Sequence, residues 1–443
     1  MIVMKFGGSS LANADRIRHV AEIVKNRMNR KPALVLSAMG DTTDHLLEAG
    51  EKALKKGQIL TGKIEELHLN TIEELDLGDA AMRSADVILD ELRKLLIGIS
   101  LIRELTERTK DYLVSFGERL SVRIVAAYFN KLGIYAQALD AWEAGIVSDS
   151  NFGSADVMPE SWALIPAKIR APAEEGLLQI ITGFIAKDEN GNITTLGRGG
   201  SDLTATLVAS ACGAEEVQVW KDVDGVLTAD PRIVSNTKPV ETISYEAAAE
   251  MAYFGAQVLH PRAIQPCMKT DTPVFVKNSY NPDAPGTKII SSRGGEVPLV
   301  QTISSKKNEI LVDVVSSRML GQHGFLAEVF SCFARHSLSI DMVATSEVSV
   351  SLTLNEGDDL TAITKELSRI ASVEVKTGKA IVTIVGDVNR SSEILARAFR
   401  VCEDIGVQVQ MISQGASKVN ISFIVDDTEV HEVVKSLHKD FFE

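Results

Sequence analysis

A chain of 443 residues is roughly two to four domains long by size alone. Apolar residues make up 45% and charged residues 24%, an ordinary globular-enzyme composition with enough core to need no disulfide or metal staple. Asp plus Glu is 60 and Lys plus Arg is 46, a net charge of −14 that disfavours nucleic acid and anionic membrane as partners.

The four cysteines, Cys212, Cys267, Cys332 and Cys402, form no CxxC pair. Neither a zinc site nor a disulfide framework is expected, and a reducing, cytoplasmic location is. No apolar run approaches the ~18 residues of a membrane span. The N-terminus, MIVMKFGG, reads as strand and turn rather than signal peptide.

The chain opens with an apolar strand from Ile2 to Phe6. A helix follows, with Ile17, Val20, Val24 and Met28 on one face and Asn13 as its N-cap. A second buried strand, Ala33 to Ser37, completes a βαβ unit and implies a parallel sheet covered by helices. Between strand and helix stands Lys5-Phe6-Gly7-Gly8-Ser9-Ser10. Adjacent glycines let backbone N–H groups approach a phosphate, and Lys5 offers a mobile positive charge. Gly-Gly also occurs in ordinary turns, and no GxxxxGK[ST] loop is present. From about Leu46 to Thr109 the pattern is helical, with Ile88, Leu92, Leu95, Ile99 and Ile102 forming an apolar stripe. Ser115-Phe116-Gly117-Glu118-Arg119 then reads as the start of a helix. Glu118 is there either a ligand for a substrate ammonium or a first-turn residue favoured by the helix dipole.

The prolines crowd into 159–298. Strands are expected at Leu178 to Thr182, Val217 to Trp220 and Pro273 to Asn278. Leu196-Gly197-Arg198-Gly199-Gly200-Ser201-Asp202 precedes a helix from Ser201 to Cys212. Ser201 or Asp202 could simply cap it. Arg198 between glycines adds a guanidinium suited to a carboxylate or phosphate. From Trp220 the chain runs Lys221-Asp222-Val223-Asp224-Gly225-Val226-Leu227-Thr228-Ala229-Asp230-Pro231-Arg232, a charged, turn-rich loop behind an apolar strand. It is either a nucleotide edge or a solvated loop with an Asp-Gly turn. The Pro-, Gly- and Ser-rich stretch 282–298 reads as a linker.

The remainder repeats itself. Residues 310–354 read strand, helix (Phe325 to His336), strand (Ile340 to Ala344), strand (Val348 to Leu354), with a helix near Leu360 to Ile370. Residues 380–425 read strand, helix (Ile394 to Glu403), strand (Val407 to Ile412), strand (Val419 to Val425), with a helix near Glu429 to Leu437. Two βαββαβ copies suit regulatory modules, dimerisation modules, or both.

KFGGSS, SFGE, GRGGSD and WKDVDGVLTADPR, in this order, resemble the aspartate kinases of the amino-acid kinase family. The resemblance continues through FGAQVLHP (254–261) and VKNSYNPDAPGT (276–287), and the repeat resembles tandem ACT domains. The wording is similar to the plant-type, monofunctional, lysine-sensitive branch. The resemblance implies an α/β amino-acid-kinase fold, a parallel-sheet α/β/α sandwich over 1–295 with an aspartate-binding lobe to about 170 and a nucleotide-binding lobe beyond it. ACT domains at 304–378 and 379–443 would follow. It implies ATP with Mg²⁺ as cofactors, L-aspartate as substrate and L-lysine as allosteric inhibitor.

Carried over residue by residue, Lys5 matches the lysine on the transferring phosphoryl group, and Asp202 the acid that orients it. Phe6, Gly7, Gly8 and Ser9 match the phosphate loop. Thr43, Glu118, Arg198, Gly199, Gly200 and Ser201 match the aspartate pocket. Lys221, Asp222, Leu227, Arg232, Gln257 and Val258 match nucleotide positions. Lys221 stands where many bacterial members have Thr, Leu227 replaces an aromatic and Gln257 a lysine. Met319, Gly324, Phe325, Leu326, Ala327, Ile340, Asp341, Thr345, Ser346 and Glu347 match the lysine-effector positions. No resident metal ligand is implied. ACT sheets with open edges imply a homodimer, or a tetramer. Nothing follows the second repeat, so a fused homoserine dehydrogenase is not expected. The competing readings are a glutamate or acetylglutamate kinase and a catalytically silent amino-acid sensor, against which Lys5, Arg198 and Asp202 stand.

Overall fold

The protein's structure, a computed structural model, describes residues 1–253, 259–291, 298–316, 323–357, 360–414 and 420–443. They form two compact units. The first holds 1–226, 241–245 and 259–291; the second holds 227–240, 246–253 and the described residues from 298 onward.

The first unit is built on an eight-stranded sheet. Its order is Ala136–Leu139, Leu178–Thr182, Pro32–Leu36, Ile2–Phe6, Val217–Lys221, Val274–Asn278, Thr287–Ile290 and Thr242–Ser244. All pairings are parallel except that of Val274–Asn278 with Thr287–Ile290. Helices cover both faces, so every residue of Ile2–Phe6 is buried, the single charged one, Lys5, included. Ile2, Met4 and Phe6 belong to the core shared with helices Ala14–Lys25, Thr42–Lys56, Gly78–Ile102 and Glu107–Lys131. Helix Gly200–Cys212 packs on the same strand from the other face.

Asn13 caps the first helix, its side chain accepting from Arg16 N–H at 3.0 Å. The long helical stretch breaks where Gly57 and Arg103 turn left-handed, at φ +67° and +56°. Of the apolar stripe, Ile88, Leu92 and Ile99 are buried and Leu95 is partly buried, whereas Ile102, at the helix end, is exposed. One expectation fails here. Helix Glu107–Lys131 begins at Thr106, whose hydroxyl accepts from Thr109 N–H at 3.2 Å, so Glu118 lies mid-helix. A helix-dipole role for Glu118 is therefore excluded. The helix also carries Asp111, whose buried carboxylate accepts from Gly153 N–H at 2.8 Å, Thr195 N–H at 2.9 Å and the Thr195 hydroxyl at 2.8 Å. It thereby fixes strand Ile193–Thr195, which leads into Gly197–Ser201.

The second unit holds a six-stranded antiparallel sheet in the order Val343–Thr345, Ser349–Asn355, Val300–Val315, Ser372–Gly386, Asn420–Asp426, Met411–Ser413. Both copies are present, but the two central strands run through both. Glu309–Val315 serves the first copy, beside Ser349–Asn355. Val300–Lys306 pairs with Ile381–Gly386 and supplies the fourth strand of the second copy from ahead of the first. The ladder shifts register between Lys306 and Leu311, where Asn308 adopts φ +60°. Strand alternation sets the two faces. Ile310, Val312 and Val314 meet helix Phe325–Arg335, while Leu311, Ile381 and Ile424 join Met342 and Met411 on the opposite face. The strand expected from Ile340 starts at Val343, because Met342 N–H bonds the Thr353 hydroxyl, at 2.9 Å, instead of a ladder carbonyl. The strand expected from Val407 starts at Met411. Among the described residues no helix is long and apolar enough to cross a membrane.

Candidate active site and effector region

Neighbouring parallel strands Ile2–Phe6 and Val217–Lys221 bring Lys5 and Lys221 to one end of the sheet. Helix Gly200–Cys212 starts at the same end, with Gly199 at φ +73° as its cap. Ser201 and Asp202 therefore sit in the first turn, and neither caps the helix. The Asp202 carboxylate instead receives Lys5 Nζ at 2.8 Å and Lys221 Nζ at 3.7 Å. Burial alone would raise its pKa, but the two ammonium groups outweigh that and hold it below the usual carboxylate range. Burial lowers the pKa of Lys221, with Asp202 opposing and Lys5 assisting the shift. Two ammonium groups on one carboxylate leave a surplus positive charge in a nearly dry place, a setting that attracts an anion.

The loop after Lys5 presses against the loop after strand Pro32–Leu36. A Cβ at Gly8 would lie 2.9 Å from the carbonyl oxygens of Ala38 and Gly40, so only glycine fits. Gly40 N–H closes the contact by donating to Gly8 O at 3.0 Å. Phe6 is stacked on Trp220, ring centroids 5.8 Å apart. Ser9 is exposed, and its carbonyl accepts from the Tyr280 hydroxyl at 3.3 Å.

Glu118 is buried, with Oε1 accepting from Ala38 N–H at 3.1 Å and Oε2 lacking a partner among the described residues. Burial pushes its carboxyl up to about 8, with the Ala38 N–H and the Lys5 charge only partly offsetting. Gly117 makes this approach feasible, since a Cβ there would lie 2.7 Å from Ala38 Cβ. Thr43 is half-buried in the first turn of helix Thr42–Lys56. Ser201 Oγ accepts from Ser37 Oγ at 3.1 Å. Arg198 is exposed and forms no ion pair with a described residue. Asp222 is exposed at the end of its strand.

The structure thus brings Lys5, Asp202, Lys221 and Glu118 together, with Gly7, Gly8, Gly199, Gly200 and Ser201 on the loops that frame them. Leu227 and Arg232 belong to the second unit. Leu227 O accepts from the Thr302 hydroxyl at 2.9 Å, and the Arg232 guanidinium is engaged by Asp230 at 2.6 Å. Gln257 and Val258 lie outside the described residues. Ser37, Ala38 and Gly117 also shape this site, although in the sequence they stand only as a strand end, its neighbour and the glycine beside Glu118.

In the second unit, Gly324, at φ +89°, caps helix Phe325–Arg335 without a side-chain bond. Phe325 is buried, and Leu326 and Ala327 are exposed. Ile340 and Asp341 precede strand Val343–Thr345. Thr345 ends it, and Ser346 and Glu347 form the exposed turn, with Ser346 N–H bonded to Ser349 O at 2.8 Å. The Asp341 carboxylate accepts from the Lys306 ammonium. Met319 lies outside the described residues.

A buried lysine–aspartate pair with a second lysine beside it, at the end of a parallel sheet and framed by glycine turns, is a nearly dry site with positive charge to spare. Residues 1–278 match the amino acid kinase family, and residues 312–365 and 382–441 match the ACT domain. Aspartokinase 1, chloroplastic, of Arabidopsis thaliana is 48% identical, over 100% of this chain and 80% of that protein. Two crystal structures of E. coli aspartokinase III, each with full coverage of both chains, are also similar. The complex with aspartate and ADP (R-state) gives a TM-score of 0.87 at 35% identity, and that with lysine and aspartate (T-state) 0.82 at 34%. The chain belongs to the aspartokinases of the amino acid kinase family.

Proposed function

We propose that this chain transfers the γ-phosphoryl group of ATP to the β-carboxylate of L-aspartate, giving ADP and 4-phospho-L-aspartate, and that L-lysine restrains it through the ACT copies. The observation that carries this reading is Asp202 held between Lys5 and Lys221 at the end of the sheet. A carboxylate oxygen of aspartate attacks the γ-phosphorus. An O–P bond forms, the bond to the β,γ-bridging oxygen breaks, and ADP leaves with that electron pair. The nucleophile is already ionised at neutral pH, so no general base is needed. The work is alignment and charge neutralisation.

Lys5, steered by Asp202, follows the charge onto the transferring group. Backbone N–H groups of Gly7, Gly8 and Ser9 face the phosphates, and Lys221 takes the position of a nucleotide lysine. Asp222 follows it in the chain, and the resemblance also assigns Leu227, Arg232, Gln257 and Val258 to nucleotide positions. Arg198, with no ion pair among the described residues, grips one aspartate carboxylate, and Glu118 meets the α-ammonium. Thr43, Gly199, Gly200 and Ser201 line the remaining wall. Among the described residues no cluster of three His, Cys, Asp or Glu side chains stands ready for a metal. Mg²⁺ would come with the nucleotide as MgATP and would supply charge neutralisation on the phosphates.

The effector would lie against Asp341, Glu347 and the N–H groups at Gly324 to Leu326, with Ala327, Ile340, Thr345 and Ser346 around it. Residues 1–295 form the catalytic domain on this reading, and the ACT copies pair two chains into a dimer. The buried, unbridged cysteines suit the cytoplasm. A coupled ADP-release assay tests the reading, comparing L-aspartate, L-glutamate and N-acetylglutamate with and without L-lysine. Turnover with L-aspartate alone, reduced by lysine, is expected. Equal use of L-glutamate defeats the substrate assignment.

A further inference from the structure

Asp341 is already occupied. Lys306 lies in the strand segment that completes the second ACT copy, and its ammonium reaches Asp341 at the edge of the first. The same ammonium meets Glu309 Oε1 at 2.9 Å. Glu309 is fully buried and Asp341 nearly so, with side-chain exposures of 0% and 4%. The register shift that turns the chain between Lys306 and Glu309 puts both side chains on one spot, so a single ammonium bridges two carboxylates. Lys306 carries the same four-carbon stem and primary ammonium as free L-lysine.

We propose that Lys306 is an internal competitor for the effector carboxylate, and that Glu309 is the acceptor onto which its ammonium withdraws when L-lysine binds at Asp341. This rests on the effector reading of Asp341 given above and extends it. Two buried carboxylates allow Lys306 to release one without becoming an unpaired buried charge, which would be costly. The competition lowers the apparent effector affinity by the fraction of time Asp341 is open. The fallback onto Glu309 keeps that reduction modest. Opposite effects follow for the two partners. Lys306→Met removes the competitor and keeps the stem. Glu309→Gln removes the fallback, so Lys306 stays on Asp341.

The experiment is a pair of L-lysine titrations on the full-length enzyme, by inhibition at fixed aspartate and ATP and by calorimetric binding. Activity without lysine and the melting midpoint are read alongside. Lys306→Met should shift half-inhibition to about fivefold lower lysine or more, and Glu309→Gln to several-fold higher lysine. Activity without lysine should be unchanged in both. Shifts in the same direction, or no shift in either, overturn the proposal, because a merely structural ion cluster would loosen alike on losing either member. Asp341→Asn separates the two levels. If it leaves lysine binding untouched, the effector reading itself fails. If it abolishes binding while Lys306→Met and Glu309→Gln do nothing, only the competitor role fails.

Discussion

Glu118→Gln isolates the most unusual electrostatic feature of the active site. The carboxyl is driven from 4.5 to about 8, first by burial, against the partial help of the Ala38 N–H and Lys5. At about 1.4 kcal/mol per unit, the whole shift corresponds to about 5 kcal/mol. A carboxyl with a raised folded-state pKa keeps a proton that the unfolded chain has released. Its stabilising contribution is complete below pH 4.5 and is lost as pH rises toward about 8. Glutamine keeps the amide oxygen for Ala38 and abolishes the titration. The difference in melting midpoint, variant minus parent, should be near zero at pH 4.5, widen through neutrality and level off above pH 8. Every other titrating group is common to both proteins and cancels. A difference that stays flat from pH 5 to 8 refutes the burial argument.

The same shift has a functional consequence. At pH 7 the empty site holds Glu118 protonated. An arriving α-ammonium favours the carboxylate, so aspartate binding should release about one proton. Calorimetry in buffers of different ionisation enthalpy counts it. A parent that releases none, or a Glu118→Gln enzyme that releases as many, removes Glu118 from the ammonium site.

Lys5→Ala should lower kcat by orders of magnitude with the melting midpoint little changed, because it removes the charge nearest the transferring group; a kcat within about threefold of the parent refutes that role. Arg198→Lys should raise KM for aspartate far more than KM for ATP, since an ammonium cannot reproduce a planar fork; a defect confined to ATP moves Arg198 to the phosphates. Sedimentation at micromolar concentration should show at least a dimer, and a species of only 48.0 kDa contradicts pairing through the ACT copies.

What the sequence disclosed depended on distance along the chain. Lys5 was legible because strand, lysine and glycine pair are contiguous. On its local pattern alone Asp202 was not, because a first-turn aspartate also reads as a helix cap; the resemblance to the aspartate kinases pairs it with Lys5, and the packing of helix Gly200–Cys212 on strand Ile2–Phe6 turns it toward that lysine. Glu118 was misplaced at a helix start because Gly117 reads as a breaker. In the fold the glycine is there for a close approach to Ala38, and the helix runs on to Lys131. The ACT repeat was visible as a repeat, yet the fourth strand of its second copy was not. Val300–Lys306 precedes the copy that it completes, and an offset comparison of 310–354 with 380–425 never samples it.

The two proposed sites obey one electrostatic rule with opposite signs. Lys5 and Lys221 share Asp202, so positive charge exceeds negative where phosphate is to bind. Asp341 and Glu309 share Lys306, so two carboxyl groups face one ammonium where a second ammonium is to bind. In each, the ligand supplies the missing charge, and the member already present keeps the empty site from holding unpaired ions out of water. That member is also what the ligand must work against. Asp202 holds Lys5 until phosphate arrives, and Lys306 holds Asp341 until an effector does. A site assembled this way binds more weakly than a bare charge would, and that weakness lets ligand leave again. For a turnover site it permits product release, and for a feedback site it keeps inhibition graded with effector concentration.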